Sequence, residues 1–256
     1  MNPPTDSQRE ELRRRPLGER PAMFQTWSEL LFLHWQVDPN ELQKTLPPGL
    51  YIDTKEGSAW LGIVPFQMRR IRPAGLFPVP WLSYFLELNV RTYVHDESGR
   101  PGVWFYSLDT NRWLAYKIAR TLFKLPYFNA VMETAHSGDG WIDYFCQRKG
   151  SHGEARFRHR PKAGARAIEA EPGSLEFFLL ERYLLFSHDS RSGGIFSGQV
   201  HHRPYQYRPV EVSECSPAPI IWDGLPGGSG SPAHACFAEP VDVEVFALKA
   251  LDKFSG

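Results

Sequence analysis

Cysteine is scarce in this chain. Cys146, Cys215 and Cys236 are widely separated, no two form a CxxC pair, and the count is odd. That argues against a disulfide framework and for free thiols in a reducing compartment. An excess of charge of either sign is also missing: 29 basic side chains face 29 acidic ones. No global field is available to hold nucleic acid or an anionic membrane. No apolar run approaches membrane-spanning length, and MNPPTDSQREELRRRPLGERP has no apolar signal-like core. The expectation is a cytoplasmic protein with no nucleic-acid and no membrane partner. HExxH, Cys–His spacing and carboxylate clusters are absent, so no metal and no cofactor are expected. Gly227-Gly228-Ser229-Gly230 lacks the Lys-Ser/Thr of a phosphate loop, and no GxSxG nucleophile elbow occurs.

What is present is mainly strand signal. Residues 1–22 are charged, Pro-flanked and without an apolar stripe, which predicts a mobile arm ahead of a single domain over 23–256. SELLFLHWQV reads as a buried strand, with helix as the alternative. Asp38 and Pro39 cap a short helix that Pro47-Pro48-Gly49 stops. YIDTKEGSAWLGIVPFQMRRI reads as two strands around a polar turn, and YFLELNVRTYV with VWFYSLD as a hairpin. NRWLAYKIARTLF reads as a helix, NAVMETA with WIDYFCQR as a third hairpin, and SLEFFLLERY as a short helix. YLLFSH with IFSGQVHH, VEVSE and DVEVFAL supply later strands. EARFRHRP is a strand whose Arg156, Arg158 and Arg160 form a solvated face. The fold class expected is mainly β: an antiparallel β-barrel or strongly curved sheet with peripheral short helices.

The segments LFLHWQVDPNEL, AWLGIVPFQMRRIRP, ELNVRTYV, GVWFYSLD, ARTLFKLPYF, SLEFFLLERY and the HHRP turn resemble, in order and spacing, the YqjF-like uncharacterised family. That family lies within the acetoacetate-decarboxylase-like superfamily. The resemblance implies an acetoacetate-decarboxylase-like fold. Decarboxylases of the superfamily carry an arginine, a short spacer and then Pro-Lys-Lys. The first lysine forms a Schiff base, and the second lowers its pKa. Here Arg120 and Pro126 match the arginine and the proline, but Tyr127 and Phe128 stand where the lysines would be. Neither has an amine, so imine chemistry does not transfer. Lys124 and Lys117 are near in sequence, yet parity turns Lys124 away from Tyr127 and Lys117 lies on the predicted helix.

ELNVRTYV divides into Glu87, Asn89, Arg91 and Tyr93 on one face and Leu88, Val90, Thr92 and Val94 on the other. Alternation alone puts the polar face in water. The resemblance implies the reverse, because Glu87 matches a superfamily glutamate that points inward and handles protons. The outer Leu-Val face then needs a cover. Arg120 is read either as a structural ion pair or as a bidentate partner for a ligand carboxylate. His34 is read as a core histidine, or as one half of an acid–base couple with His201 or His202. The expected function is interior binding of a small carbonyl, carboxylate or aromatic molecule. Glu87, Asn89 and Arg91 are its polar anchors, Trp60, Phe66, Trp104, Tyr106 and Tyr127 its walls, and Arg120 and Phe128 further ligand-binding residues. The alternative is an enzyme without a Schiff base, with Glu87 moving the proton and Tyr127 donating a hydrogen bond. A purely structural role is the third reading, and homo-oligomerisation is left open.

Overall fold

The structure, a computed structural model, describes residues 3–79, 83–112, 124–189 and 193–251. The strands are β1 (Met23–Ser28), β2 (Leu30–Val37), β3 (Leu50–Ile52), β4 (Ala59–Pro73), β5 (Phe85–Asp96), β6 (Pro101–Thr110), β7 (Tyr127–His136) and β8 (Ile142–Arg148). They continue with β9 (Ala155–Pro161), β10 (Leu184–Asp189), β11 (Gly194–His201), β12 (Tyr207–Cys215), β13 (His234–Ala238), β14 (Val241–Val245) and β15 (Lys249–Ala250). Helices are few and short: α1 (Asp6–Arg13), α2 (Pro39–Gln43), α3 (Leu175–Leu180) and α4 (Ala218–Trp222). No helix among the described residues is long and apolar enough to cross a membrane. The body of the helix expected over NRWLAYKIARTLF, with Lys117 and Arg120, lies outside the described residues.

The strands form one large curved sheet of 15 described strands. It is mixed rather than wholly antiparallel, because β6 runs parallel to both β10 and β7. Two circuits of pairing share β4, β5 and β6. The first passes from β1 through β14, β11, β10, β6, β5 and β4 back to β1. The second passes from β6 through β7, β8, β9, β12, β13 and β2 to β4 and β5. Bulges permit the curvature. One lies between Phe24 and Thr26 opposite β4, where Arg70 adopts φ +50, and another lets Ser107 and Phe105 face the adjacent Val90 and Arg91. The segment YIDTKEGSAW does not form a paired hairpin. β3 pairs with β5, and only a Lys55–Ser58 bridge closes the turn.

Shared by both circuits, β5 is buried along its whole length. Its Leu86, Leu88 and Val90 enter a solid core with Leu31, Ile63, Met132, Tyr144 and Phe157. Each such side chain contributes roughly 1.5–3 kcal/mol by leaving water. The outer Leu-Val face is therefore covered by the chain's own β7–β9 layer.

The N-terminal segment expected as an arm instead carries α1 and docks. Thr5 and Gln8 form a capping box. Its docking face carries a single apolar side chain, Leu12, beside buried Arg9, too little to form an apolar stripe. Arg9 is buried and makes a bidentate pair with Asp53 at 2.5 and 2.8 Å, while Arg182 donates to the same carboxylate at 2.7 Å. Burial pushes the Asp53 pKa up, but Arg182 and Arg9 outweigh it and hold the carboxyl below its ordinary range. Asp53→Asn takes the anion from buried Arg182 and leaves Arg9 with the exposed Asp6 at 3.7 Å. It is expected to cost about 3–5 kcal/mol of unfolding free energy in a urea titration, whereas Arg9→Met, which spares the Asp53–Arg182 pair, costs less.

Candidate functional site

The second circuit is filled by its own side chains. The first encloses a cavity of about 210 Å³. Strand parity selects its walls. Along β4, Val64, Phe66 and Met68 point inward, and beyond the Arg70 bulge Ile71 and Pro73 take over the same side. Along β5 the inward side chains are Phe85, Glu87, Asn89 and Arg91. The polar face of ELNVRTYV thus lies inside the fold, with Glu87 at 2 % exposure and Asn89 at 4 %.

Glu87 and Tyr127 form a pair. The Tyr127 hydroxyl donates to Glu87 Oε2 at 3.0 Å, and from the second circuit the Tyr144 hydroxyl donates to the Glu87 carbonyl at 2.8 Å. Burial raises the Glu87 pKa to about 8; the Tyr127 hydrogen bond opposes the rise and the charge of Asp109 adds to it. Burial and then Glu87 push the Tyr127 phenol well above its ordinary range. At neutral pH both groups carry their protons. Among the described residues no cation, Arg91 included, offsets the burial of Glu87.

Arg91 differs from the other buried arginines. Arg148 makes a bidentate pair with Asp109 and reaches Asp223, and Arg9 and Arg182 share Asp53. Among the described residues Arg91 donates to the Leu179 carbonyl at 3.2 Å and to the Tyr93 hydroxyl at 3.3 Å, both neutral, and its guanidinium lies over the Phe32 and Tyr93 rings. Its Nε and the Asn89 Oδ1 are buried without partners. Behind Arg91 a polar chain leads outward. The Tyr93 hydroxyl lies 2.7 Å from His34 Nε2, and His34 Nδ1 lies 3.0 Å from His234 Nδ1. Burial, then His234 and Arg91, hold the His34 pKa well below the ordinary histidine range.

His34 thus meets His234, not His201 or His202. His202 is stacked on Tyr183 and tilted against Tyr205, and His201 contacts the Arg13 carbonyl of α1. Several expected ligand-binding residues stand elsewhere. Phe128 follows Tyr127 on a strand, so it points the other way; it is 38 % exposed and covers Arg148 at 4.4 Å. Trp104 and Tyr106 have the wrong parity. Val103 and Phe105 line the cavity, and Tyr106 reaches the Thr45 hydroxyl at 2.6 Å. Trp60 shares the inward face of β4 but packs beyond the cavity with Tyr93, Phe178 and Leu179. Lys124 bonds Asp189 at 2.5 Å and lies over Phe196, and no lysine is among the described lining residues. Arg182, Tyr205 and Leu125 line the cavity without having been singled out. For Arg182 the signal was available: a Glu-Arg pair inside the apolar run SLEFFLLERY is costly unless it is partnered. Among the described residues no group of His, Cys, Asp and Glu could hold a metal ion.

The pKa directions set opposite slopes of stability against pH. Between its ordinary 4.5 and about 8, folded Glu87 keeps a proton that the unfolded chain releases, so its contribution falls as pH rises through that window. His159 and His202, pushed by burial from 6.5 to about 4, act the other way, and their contribution is lost as pH falls through that range. Glu87→Gln mimics the protonated carboxyl. Its Tm is expected to gain on wild type by roughly 5–10 °C between pH 5 and pH 8, read by calorimetry.

Comparison with known proteins completes the picture. The family described as an uncharacterized conserved protein, DUF2071, matches residues 24–242. The uncharacterized protein YqjF of Bacillus subtilis (strain 168) is 39 % identical over 190 residues, which cover 74 % of this chain and 76 % of that protein. Among solved structures, acetoacetate decarboxylase from Legionella pneumophila superposes with a TM-score of 0.62 at 15 % identity, covering 95 % of this chain and 93 % of that one. The enduracididine biosynthesis enzyme MppR complexed with pyruvate gives 0.61 at 13 % identity, covering 92 % and 93 %. An acetoacetate decarboxylase-like enzyme from Sphingomonas wittichii RW1 gives 0.59 at 13 % identity, covering 92 % and 95 %. At these identities the structural likeness establishes the fold. With the family match spanning most of its length, the chain belongs to the uncharacterized DUF2071 family, YqjF-like and built on the acetoacetate-decarboxylase-like fold.

Proposed function

We propose that this protein binds a small organic molecule inside the first circuit of strands, as in the interior of a β-barrel, and does so without imine chemistry. The observation that carries the reading is β5. It aims Glu87, Asn89 and Arg91 in succession into a cavity whose other walls are nearly all apolar, with no described lysine among them. A few convergent polar groups in an apolar hollow are the usual make-up of a small-molecule site. MppR, similar in fold, is seen with pyruvate, which supports a small ligand in this architecture.

A second reading has its own observation. A buried carboxyl with a pKa of about 8, hydrogen-bonded to Tyr127, suits proton transfer near neutral pH. In that reading Glu87 takes or gives the proton on a small carbonyl compound and Tyr127 donates to its oxygen.

Thermal-shift screening against small keto acids, enones and aromatic acids finds the ligand. Filling the cavity with Val64→Trp is expected to abolish every shift while circular dichroism shows the fold retained. Hits that shift wild type and variant alike would refute interior binding. Borohydride with pyruvate or acetoacetate is expected to leave the protein mass unchanged, and a reduced adduct on any lysine would restore the imine reading. Turnover that Glu87→Gln lowers by about two to four orders of magnitude with affinity intact would establish the enzyme. At neutral pH glutamine reproduces the protonated carboxyl, so a protein that only binds is expected to keep its affinity within about threefold.

A further inference from the structure

Among the described residues Arg91 is the buried arginine without a counter-ion. An unpaired charge in an apolar interior is strongly unfavourable, and its present partners, a carbonyl and a phenol, are neutral. The guanidinium keeps its charge in protein interiors. A second guanidinium beside it has a donor to spare: Arg182, which also lines the cavity, shares Asp53 with Arg9 and has a buried Nη2 without a partner. At the same end of the cavity Arg91 Nε is unpaired. The nearest acid along β5, Glu87, offers no compensation because it holds its proton at neutral pH. The opposite end is mainly apolar, with the Gln25 amide there bonded to Met23 Sδ and the Trp27 indole. It is formed by Met23, Ile71 and Pro73, with Val64, Phe66 and Leu108 between the two ends.

Resting on the interior-binding reading above, we infer that the ligand is an amphiphilic monocarboxylate held head-inward. Its carboxylate meets Arg91, with the free N–H of Arg182 in the same wall, and its apolar body lies along Val64, Phe66 and Leu108 toward Met23 and Pro73. A planar carboxylate matches the fork of a guanidinium. Until it binds, Arg91 has no anion among the described residues, so selection for an acid over a neutral molecule of equal size is built into the empty cavity. Neutral Glu87 has a part in this selection, since an ionised carboxylate on the same face would repel the head.

The test uses three probes with one tail: hexanoate, hexan-1-ol and hexylamine, titrated calorimetrically into the full chain at pH 6.5 and fixed ionic strength. Hexanoate is expected to bind at least tenfold more tightly than hexanol, and hexylamine not at all. Acetate, with the same head and no body, is expected to bind at least tenfold more weakly than hexanoate. Arg91→Gln should remove the advantage of the acid and leave hexanol binding unchanged, and Arg91→Lys should restore part of it. Circular dichroism confirms that each variant is folded; if Arg91→Gln does not fold, Arg91→Lys and the probe series on wild type decide. Equal affinity for hexanoate and hexanol, or hexanoate binding indifferent to Arg91, overturns the inference and leaves interior binding standing. Binding of none of the probes overturns the inference, and the thermal-shift screen with Val64→Trp then judges the interior site independently. Hexanoate affinity that rises from pH 6.5 to pH 9 would refute the part assigned to neutral Glu87.

Discussion

β5 has no face in water. One side of Phe85–Asp96 helps to wall a hollow circuit, and the other is pressed into a filled one. Polar groups on such a strand lose hydration whichever way they point. Their charge states and partners are then set by neighbouring side chains rather than by solvent. Because Leu86, Leu88 and Val90 hold the outer side against Met132, Tyr144 and Phe157, the register of Glu87, Asn89 and Arg91 on the inner side is fixed as well. A slip by one residue would exchange the two sets.

Within this dry frame the ionisable groups take different solutions. Arg148, Arg182 and Arg9 satisfy their charge with aspartates and become struts: Arg148 ties β8 to β6 and α4, and Arg9 ties α1 to Asp53. Glu87 solves the same problem by keeping its proton. Arg91 can do neither. The contrast separates groups that hold the architecture from those that face the cavity without an ionic partner among the described residues, and it rests on partners rather than on depth, since all are buried.

Much of the fold was legible because period-two patterns and turn residues mark the hairpins β5–β6, β7–β8 and β10–β11. The facing of ELNVRTYV was not legible from alternation alone. Alternation says which residues share a side, and only the cover from β7–β9, distant in sequence, says which side is wet. The wall residues on β6 were misplaced because nothing in VWFYSLD alone says which alternate set faces inward, and the structure turns Val103 and Phe105 to the cavity. Phe128 was grouped with Tyr127 by adjacency, although adjacency on a strand means opposite faces. A short helix in the N-terminal segment was conceivable from the sequence, but its docking was not, because α1 is held chiefly by a guanidinium on the carboxylate of Asp53. Glu87 and Tyr127 were picked out through resemblance, and their contact at 3.0 Å required the fold.

The first circuit closes where Met23 pairs with both Pro73 and Val245. One of these partners is near in sequence, and the other lies almost at the far end of the described chain. During synthesis β1 and β4 can pair early, but β14 must leave the ribosome before the ring is complete. Loop closure over such a span is slow. Until it occurs, β1 presents an open edge above an unfilled apolar hollow, a combination that invites association with other chains. The cavity is therefore a late product of folding, completed only when Val245, one of its own lining residues, arrives beside Met23.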